Sequence, residues 1–509
     1  MPVVVIDGER LTLEEVEQVA VRGARVRLSA EAKEKMHRSR QVVEQILDSK
    51  EVVYGINTGF GKLCQVVIPK GQIKQLQRNL VVSHAAGVGP PLSEEVVRAM
   101  MLLRANVLAK GYSGIRPEPV QTLVSMLNGK VHPVVPEQGS VGASGDLAPL
   151  AHVALALIGE GRVTFGGREM PASRGLRAVG LSPMKLLAKE GLALTNGTQA
   201  MTALGSLALL RAERLTKTAD ISGALSLEAL LGTPAAFHPN LQRVRPHRGQ
   251  RDSARNLRVL VANSQIVASH QDCGKVQDAY SLRCMPQVHG AARDALRYVR
   301  GVLKVEINSA TDNPLVFPRD NQVLSGGNFH GQPVALALDT LGLALCQLAN
   351  IAERRVASLM DPNTSQLPAF LTTKGGINSG FMMAQTTAAS LVSENKILAH
   401  PASVDSIPTS ANQEDHVSMG MIAARKAMQI LENAETVMGI ELLCAVQAVD
   451  FLAPLGPGRG TMAAQRFIRK HIPRLDEDRV LAPELDRATA LVREGEVLRA
   501  VERGVGRLL

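Results

Sequence analysis

The chain has 509 residues, of which 45% are hydrophobic and 20% are charged. This balance is ordinary for a globular protein, so it excludes disorder over the whole chain, and the length predicts more than one packed region. The net charge of +10 comes from 57 basic and 47 acidic side chains, and the densest basic stretch spans residues 243–258. The chain has no tryptophan and only 3% aromatic residues, which argues against a nucleic-acid partner that would need stacking side chains.

The beginning of the chain and its cysteines indicate a cytoplasmic protein. Residues 1–15 lack a basic segment ahead of an apolar run, so no signal peptide is predicted. The five cysteines are widely scattered without zinc or redox spacing, which is typical of reduced thiols. The uncharged stretch 191–210 contains several polar residues and three glycines, so we expect a buried segment of a soluble protein and no membrane partner.

The first part of the chain mixes strands, helices and loops. A short strand pattern, VVVID, precedes an amphipathic helix over about 28–50, and a glycine-rich loop follows at residues 54–61. Helical patterns continue to about residue 128, and a turn-rich segment covers residues 132–152. Residues 161–175 are bounded by glycines and predict a hairpin or loop.

The second part is dominated by long apolar stretches. They run over about 189–231, 333–360 and 415–452, are almost free of proline, and predict long buried helices. We therefore predict a mainly α fold with a long central helical bundle and a smaller, mixed N-terminal head region. The predicted regions are a head at 1–188, the bundle at 189–453 and a small helical appendix at 454–509.

Common cofactor motifs do not fit this sequence. The glycine-rich stretch 55–62 has the wrong spacing for a phosphate loop, and the glycines of 456–460 do not follow a strand, so no nucleotide is expected. None of the 12 histidines shows HExxH spacing, and no Cys/His cluster appears, so no metal is expected. No Schiff-base segment for pyridoxal phosphate stands out, and GASGD lacks the elbow of a serine hydrolase.

The tripeptide Ala143-Ser144-Gly145 carries the most specific chemistry. Taken alone, it is an ordinary surface turn. Here Gly139 and Gly142 flank it, so the backbone can reach compressed conformations that other residues avoid. The Gly145 nitrogen could then attack the Ala143 carbonyl with loss of water, and dehydration of Ser144 would leave an exocyclic methylidene group. This electrophile would need no external cofactor.

The string GSVGASGDLAPLAH (residues 139–152) resembles the prosthetic-group segment of the aromatic amino-acid ammonia-lyases. Further segments similar to this family recur in order along most of the chain: YGINTGFG, LTNGTQAM, VQDAYSLRC, NSATDNPL, GGNFHG and NQEDHVSMG. The resemblance implies that Ala143, Ser144 and Gly145 form a methylidene-imidazolone group and that Asp146 assists its formation. It also implies a homo-oligomer, in particular a tetramer, whose sites are shared between chains.

Other site residues follow from the same resemblance, position by position. Tyr54 matches the general base that removes the β-proton, and Tyr280 falls in a matched segment as a second catalytic tyrosine. Tyrosine's ordinary pKa near 10 would need lowering for a base. The implied substrate-binding residues are Asn196, Gln277, Arg283 and Phe329, with Arg283 suited to the substrate carboxylate. If the segment 277–283 is helical, Gln277, Tyr280 and Arg283 share one face.

The substrate is indicated by positions 83–84 and 414. The tyrosine and phenylalanine lyases carry a pair ending in leucine at the first and usually glutamine at the second. This chain has Ser83-His84 and Glu414, the histidine-type pair, which implies elimination of ammonia from L-histidine to give trans-urocanate. The alternatives are a tyrosine or phenylalanine ammonia-lyase, an aminomutase, or a non-enzymatic helical scaffold. Ala279, Met285 and His289 depart from the usual family pattern at positions without a catalytic role.

Overall fold

The computed structural model describes residues 3–49, 51–271 and 274–509. These residues form 21 α-helices and nine short β-strands, and the predicted mainly α fold is confirmed. The strands are β1 (Val3–Ile6), β2 (Arg25–Leu28), β3 (Val88–Pro91), β4 (His132–Pro133), β5 (Pro136–Gln138), β6 (Arg162–Phe165), β7 (Arg168–Pro171), β8 (Leu315–Phe317) and β9 (Gln322–Leu324).

The helices occupy most of the remaining described residues. They are α1 (Leu13–Ala20), α2 (Ala30–Asp48), α3 (Ile73–His84), α4 (Glu94–Ala109), α5 (Pro117–Asn128), α6 (Leu147–Leu157), α7 (Ala172–Ala178), α8 (Glu190–Thr195), α9 (Gln199–Ala229), α10 (Pro239–Val244), α11 (Arg248–Leu260), α12 (Gln265–Ala268), α13 (Tyr280–Arg283), α14 (Met285–Glu306), α15 (Gln332–Met360), α16 (Pro362–Ser365), α17 (Met382–Leu398), α18 (Gly420–Asp450), α19 (Arg459–His471), α20 (Ala482–Arg493) and α21 (Glu496–Val505). Short 3-10 helices cover Gly61–Leu63, Lys70–Gln72, Pro234–Phe237 and Ala369–Leu371.

The chain divides into two compact units, each made of three separate segments. The first unit comprises Met1–Leu210, Arg300–Asp339 and Pro401–Arg425. The second comprises Arg211–Val299, Thr340–His400 and Lys426–Leu509. The division by sequence position at residues 188 and 453 stays a prediction.

The first unit contains the short sheets and the loop of Tyr54. β1 pairs in parallel with β2, and β6 and β7 form the hairpin expected within residues 161–175. One apolar cluster joins Val43 of α2, Ile56 and Ile73 at the start of α3, with Val316 of β8. Ile56 is fully buried there. Its burial anchors the segment that carries Tyr54, because removing an apolar side chain from water stabilises the loop around it.

The three predicted long helices are present, with one break that the apolar pattern did not reveal. α15 and α18 match the second and third stretches closely. The first stretch is divided between α8 and α9, and Asn196 has extended backbone angles of φ −93° and ψ 109° at the break. The break exposes the Asn196 side chain to the loop of residues 142–146 instead of placing it within a helix.

The second unit buries charged groups that are paired with one another. Glu441 of α18 accepts hydrogen bonds from Arg355 at 2.9 Å and from Ser222 at 2.8 Å. Asp220 accepts from Arg293 at 2.6 Å and is bonded to the His289 ring at 2.8 Å, and these charges lower the pKa of Asp220 to about 2 against the raising effect of burial. Buried charges of this kind are tolerated because each has an opposite charge or a donor beside it.

Among the described residues, one helix, α15, is long and apolar enough to cross a membrane by length and composition. Of its most apolar 18-residue window, 67% is buried inside the fold. A core helix of a globular protein passes the same test, since it must also be apolar on several sides.

Candidate active site

A cavity of about 1080 Å³ lies in the first unit and gathers residues that are far apart in the sequence. Its lining spans the Tyr54 loop, the end of α3, the prosthetic-group segment, the break before α9 and the segment ahead of α18. The predicted site residues among those lining it are Tyr54, His84, Ala143, Ser144, Asn196, Phe329 and Glu414.

The backbone around Ser144 has the conformation that the glycines were predicted to permit. Gly142 and Gly145 have φ values of +70° and +72°, in the left-handed region that side chains disfavour. A Cβ added to Gly145 would lie 2.2 Å from the carbonyl oxygen of Gly197. The next residue, Asp146, donates its N–H to that same oxygen at 2.7 Å. Glycine at 145 is therefore required both by the backbone angle and by the close approach of the backbone at Gly197.

Ser144 is held at two atoms. Its hydroxyl donates to Oε1 of Glu414 at 2.8 Å, and its carbonyl oxygen accepts from Nδ2 of Asn196 at 2.8 Å. The two partners are separated from Ser144 by 270 and 52 residues. The two contacts place a carboxylate at the hydroxyl that would be lost as water and an amide donor at the carbonyl that would remain in the ring.

The segment before α18 clamps the prosthetic-group loop from its other side. The Ser418 hydroxyl donates to the carbonyl of Gly142 at 2.9 Å, and the N–H of Met419 donates to the carbonyl of Val141 at 2.8 Å. Ala143 packs in an apolar cluster with Val417 and Met419. Ser418 is fully buried, so its hydroxyl is shielded from water. These contacts restrain the backbone of Val141 and Gly142 next to Ala143 and Ser144.

Asp146 links the loop to the first turn of α9. Its Oδ2 accepts from the N–H groups of Ala200 and Met201, each at 2.9 Å, and its Oδ1 accepts from the Ser140 hydroxyl at 2.9 Å. The N-terminus of a helix stabilises a carboxylate in this position. Burial nevertheless raises the pKa of Asp146 to about 6, because desolvation outweighs the three hydrogen bonds. Asp146 lies behind the loop and positions it.

Arg104 stabilises the break between α8 and α9 at Asn196. It was not among the predicted site residues. Its guanidinium donates to the carbonyl of Asn196 at 2.9 Å and to Oε1 of Gln199 at 2.7 Å, and it also contacts the carbonyl of Ala193. Burial lowers the pKa of Arg104 to about 10, against the raising effect of Asp312. The signal was visible as an arginine within the apolar run MMLLRANVLA of α4, because such a residue is almost never fully buried without partners.

Tyr54 lies at the cavity wall, but its own chain does not make it a stronger base. Its hydroxyl oxygen accepts from the N–H of Gly61 at 3.4 Å. Burial raises the pKa of Tyr54 above its ordinary value, and the nearby Cys64 and Glu414 act in the same direction. A general base needs a lowered pKa, whereas the surroundings of Tyr54 within one chain raise it.

His84 ends α3 and faces the same cavity. Its Nδ1 lies 3.1 Å from the Ser83 hydroxyl. Burial lowers the pKa of His84, while the carbonyl of Leu80 and the charge of Glu414 partly offset that effect. The imidazole is therefore neutral near pH 7, with one nitrogen able to accept and one able to donate.

Three predicted substrate-site residues belong to the second unit and do not line this cavity. Gln277 precedes α13, and only Tyr280 and Arg283 lie within that helix, so the single helical face expected for all three is not formed. The Arg283 guanidinium lies 4.7 Å from the centre of the Tyr280 ring, and Tyr280 is 70% exposed.

Metal-ligating side chains do not cluster in the part of the chain that the structure describes. Within residues 3–49, 51–271 and 274–509, no group of three or more His, Cys, Asp or Glu side chains has a geometry that could hold a metal ion. At the cavity, the rings of His330 and His416 are stacked with their centroids 5.8 Å apart. Nε2 of His330 lies 3.1 Å from the backbone carbonyl oxygen of His416.

Comparison with known proteins agrees with this constellation. The family model described as aromatic amino acid lyase matches residues 11–470. The chain belongs to the aromatic amino acid lyase family. A histidine ammonia-lyase from Gloeobacter violaceus is 56% identical over 505 residues, covering 99% of this chain and 98% of that protein. Members of the family differ in the reaction named for them, so the cavity must indicate which one applies.

Solved structures of the family superpose over nearly the whole chain. A histidine ammonia-lyase from Trypanosoma cruzi has a TM-score of 0.92 and 46% identity, covering 99% of this chain and 96% of that one. A tyrosine aminomutase from Streptomyces globisporus has a TM-score of 0.95 and 40% identity, covering 100% of both chains. The fold is therefore common to lyases and aminomutases of the family, and it does not by itself select the substrate.

Proposed function

We propose that this protein eliminates ammonia from L-histidine to give trans-urocanate, the first step of histidine degradation. The observation that carries the proposal is that His84 and Glu414 line the same cavity as Ser144. An imidazole ring needs one donor and one acceptor near neutral pH, and this pair supplies both. The names of the relatives at 53–56% identity support the same substrate. A phenylalanine substrate has no ring group that could bond to a carboxylate at position 414.

The residues present fit a methylidene-imidazolone group formed from Ala143-Ser144-Gly145. In its formation the Gly145 nitrogen bonds to the Ala143 carbonyl carbon, and that oxygen leaves as one water. Ser144 then loses its Cα proton and its hydroxyl as a second water. The left-handed Gly145, the restrained Gly142 and the Asn196 amide on the Ser144 carbonyl are all consistent with this ring. No metal, nucleotide or pyridoxal phosphate is part of the proposal.

Such a group supplies an electrophile that accepts electron density from the amine or the ring of the substrate. The chain's own residues prepare the environment around it. Asn196 keeps a donor on the Ser144 carbonyl at 2.8 Å, which withdraws electron density from that carbonyl. Arg104 in turn holds the Asn196 backbone through a buried hydrogen bond, which fixes the position from which the side chain reaches Ser144.

Tyr54 removes the β-proton of the substrate in this proposal. Because burial raises its pKa in one chain, a cation must approach the phenol to favour its ionised form. Arg283 suits this place and also pairs with the substrate carboxylate, and Tyr280 and Gln277 accompany it. In this proposal a second copy of the chain brings these three residues to the site, as the resemblance to the family implies. The active form is accordingly a homo-oligomer, in particular a tetramer with shared sites.

The remaining contacts orient the substrate ring. His84 is held neutral by burial and serves one imidazole nitrogen, while Glu414 serves the other. Phe329, half-buried at the cavity wall, packs beside the ring. The described cysteines, Cys64, Cys284, Cys346 and Cys444, are all free, which supports a cytoplasmic location.

The test is a substrate switch at the two specificity positions. The variant His84→Leu with Glu414→Gln should lose urocanate formation by about tenfold to more than a hundredfold, since a charge-assisted hydrogen bond contributes about 1.5–3 kcal/mol. Urocanate, coumarate and cinnamate formation are measured for wild type and variant. An unchanged preference for histidine in the variant would remove both residues from substrate selection. A wild type that makes coumarate or cinnamate supports a sibling lyase, and one without any activity supports a scaffold protein.

A further inference from the structure

The segment that delivers Glu414 to the cavity is a tight turn closed on itself. The N–H of Thr409 donates to the carbonyl of Glu414 at 2.9 Å, and the N–H of Glu414 donates back to Thr409 at 3.3 Å. Inside the turn, Gln413 donates to the carbonyl of Ser410 at 3.1 Å. Thr409 and Glu414 therefore lie opposite one another, as the paired ends of the turn.

Three consecutive residues of this turn have left-handed backbone angles. The φ values of Ser410, Ala411 and Asn412 are 52°, 52° and 64°. None is a glycine, and serine and alanine adopt this region at a cost in free energy. A strained stretch of this kind persists only where the surrounding structure requires it, and it is concentrated at functional sites. This stretch reverses the direction of the chain, so that Thr409 and Glu414 face each other.

The Thr409 side chain completes the arrangement. Its hydroxyl donates to Oε2 of Glu414 at 2.6 Å, while Oε1 of the same carboxylate accepts from Ser144 at 2.8 Å. Each carboxylate oxygen thus has its own donor, and the oxygen facing Ser144 cannot exchange places with the other without breaking both bonds. Threonine is β-branched and restricted at χ1, so it holds its hydroxyl in place better than a serine.

We propose that Thr409 is a positioning residue that fixes the orientation of the Glu414 carboxylate for the substrate ring. The inference rests on the proposed function, since it assigns to Glu414 the role of imidazole partner. Thr409 does not line the cavity, and it acts through Glu414 alone. Once Ser144 has lost its hydroxyl, the Thr409 bond is the side-chain contact that keeps Oε1 directed into the cavity.

The test compares Thr409→Val, which replaces the hydroxyl by a methyl group, with Thr409→Ser, which retains the hydroxyl. Thr122→Val is the matched control, because its hydroxyl bonds to a backbone carbonyl of α5 at 3.0 Å. Thr409→Val should lower kcat for urocanate formation about tenfold or more, as expected for losing a hydrogen bond to a charged group. Thr409→Ser should retain most activity and Thr122→Val all of it. All variants should keep the two-water mass deficit of the wild type.

A double-mutant cycle decides whether Thr409 acts through Glu414. In a Glu414→Gln background, Thr409→Val should add less than about threefold, because the carboxylate that it orients is gone. An equal loss in both backgrounds, or a Thr409→Val enzyme as active as Thr122→Val, overturns the proposal. A wild type that forms coumarate or cinnamate but no urocanate refutes the proposed function separately, and the cycle is then run on that product. A wild type without activity overturns both.

Discussion

Replacing Gly142 by alanine should impair maturation of the site, because the loop has no room for a methyl group there. The added Cβ would lie 2.1 Å from the Ser418 hydroxyl and 3.1 Å from the N–H of Gly420. Something must move, and the Ser418 hydroxyl is the nearest group. That hydroxyl donates to the Gly142 carbonyl and accepts from Gly420 at 3.2 Å, so moving it breaks two buried hydrogen bonds.

The magnitude follows from these contacts and from the backbone angle. At φ +70° an alanine costs about 1–2 kcal/mol relative to glycine. Two broken hydrogen bonds add about 1 kcal/mol each, so the total destabilisation is about 3 kcal/mol or more. The matched control is Gly180→Ala, because Gly180 has φ +74° and a Cβ added there meets nothing within 4 Å. The control therefore has the backbone cost of about 1–2 kcal/mol without the steric conflict.

Two measurements check this prediction. The intact mass should show that a substantial fraction of Gly142→Ala chains retains one or both waters, whereas Gly180→Ala matures fully. Thermal unfolding should give a lower Tm for Gly142→Ala than for Gly180→Ala. If the two variants lose two waters equally and unfold at the same temperature, then the Ser418 clamp has no role in holding the loop.

Two further predictions concern the support of the loop and the assembly of the site. Burial raises the pKa of Asp146 from 3.8 to about 6, so its stabilising contribution is present below about pH 4 and is lost as the pH rises through 6. Asp146→Asn should remove about 3 kcal/mol of this pH dependence, and parallel curves of Tm against pH for variant and wild type would contradict the shift. Co-expression of inactive Tyr54→Phe and Arg283→Ala chains should recover part of the activity, because a mixed oligomer contains sites with both native residues. Zero recovery in confirmed mixed oligomers would show that each site is built from one chain.

Local sequence patterns predicted the elements whose cause is local. The helix α2, the β6–β7 hairpin and the long α15 and α18 follow from apolar spacing and from glycines at turns. The break at Asn196 was not predicted, although the polar residues 195–199 contain the pair Asn196-Gly197, which is a local turn signal. The buried Arg104, almost a hundred residues earlier in the chain, stabilises the break, because its guanidinium donates to the carbonyl of Asn196 and contacts the carbonyl of Ala193. Neighbouring residues could therefore locate the break, but they do not reveal the distant arginine that stabilises it.

The site could be predicted in part because its chemistry needs unusual residues. Seven of the named side chains line one cavity, although Tyr54 and Glu414 are 360 positions apart. The supporting residues were missed: Arg104 had a local signal as an arginine within an apolar run, whereas Ser418 and Thr409 are recognised only by the atoms that they contact. The direction of the Tyr54 pKa was also outside the reach of sequence, because burial depends on the folded surroundings. The roles carried over for all of the site residues, including Gln277, Tyr280 and Arg283, stay predictions.

The central claim is that Ala143-Ser144-Gly145 becomes the electrophile without any added cofactor. The intact mass of the purified wild-type protein, recorded with its near-ultraviolet absorbance and its rate of urocanate formation, tests this most directly. The mass should lie two waters below that calculated from the sequence, with the deficit located in the peptide that contains Ser144. The variant Ser144→Ala should lack no more than one water and lose most activity. A wild-type protein that forms urocanate at its full, unmodified mass would contradict the account.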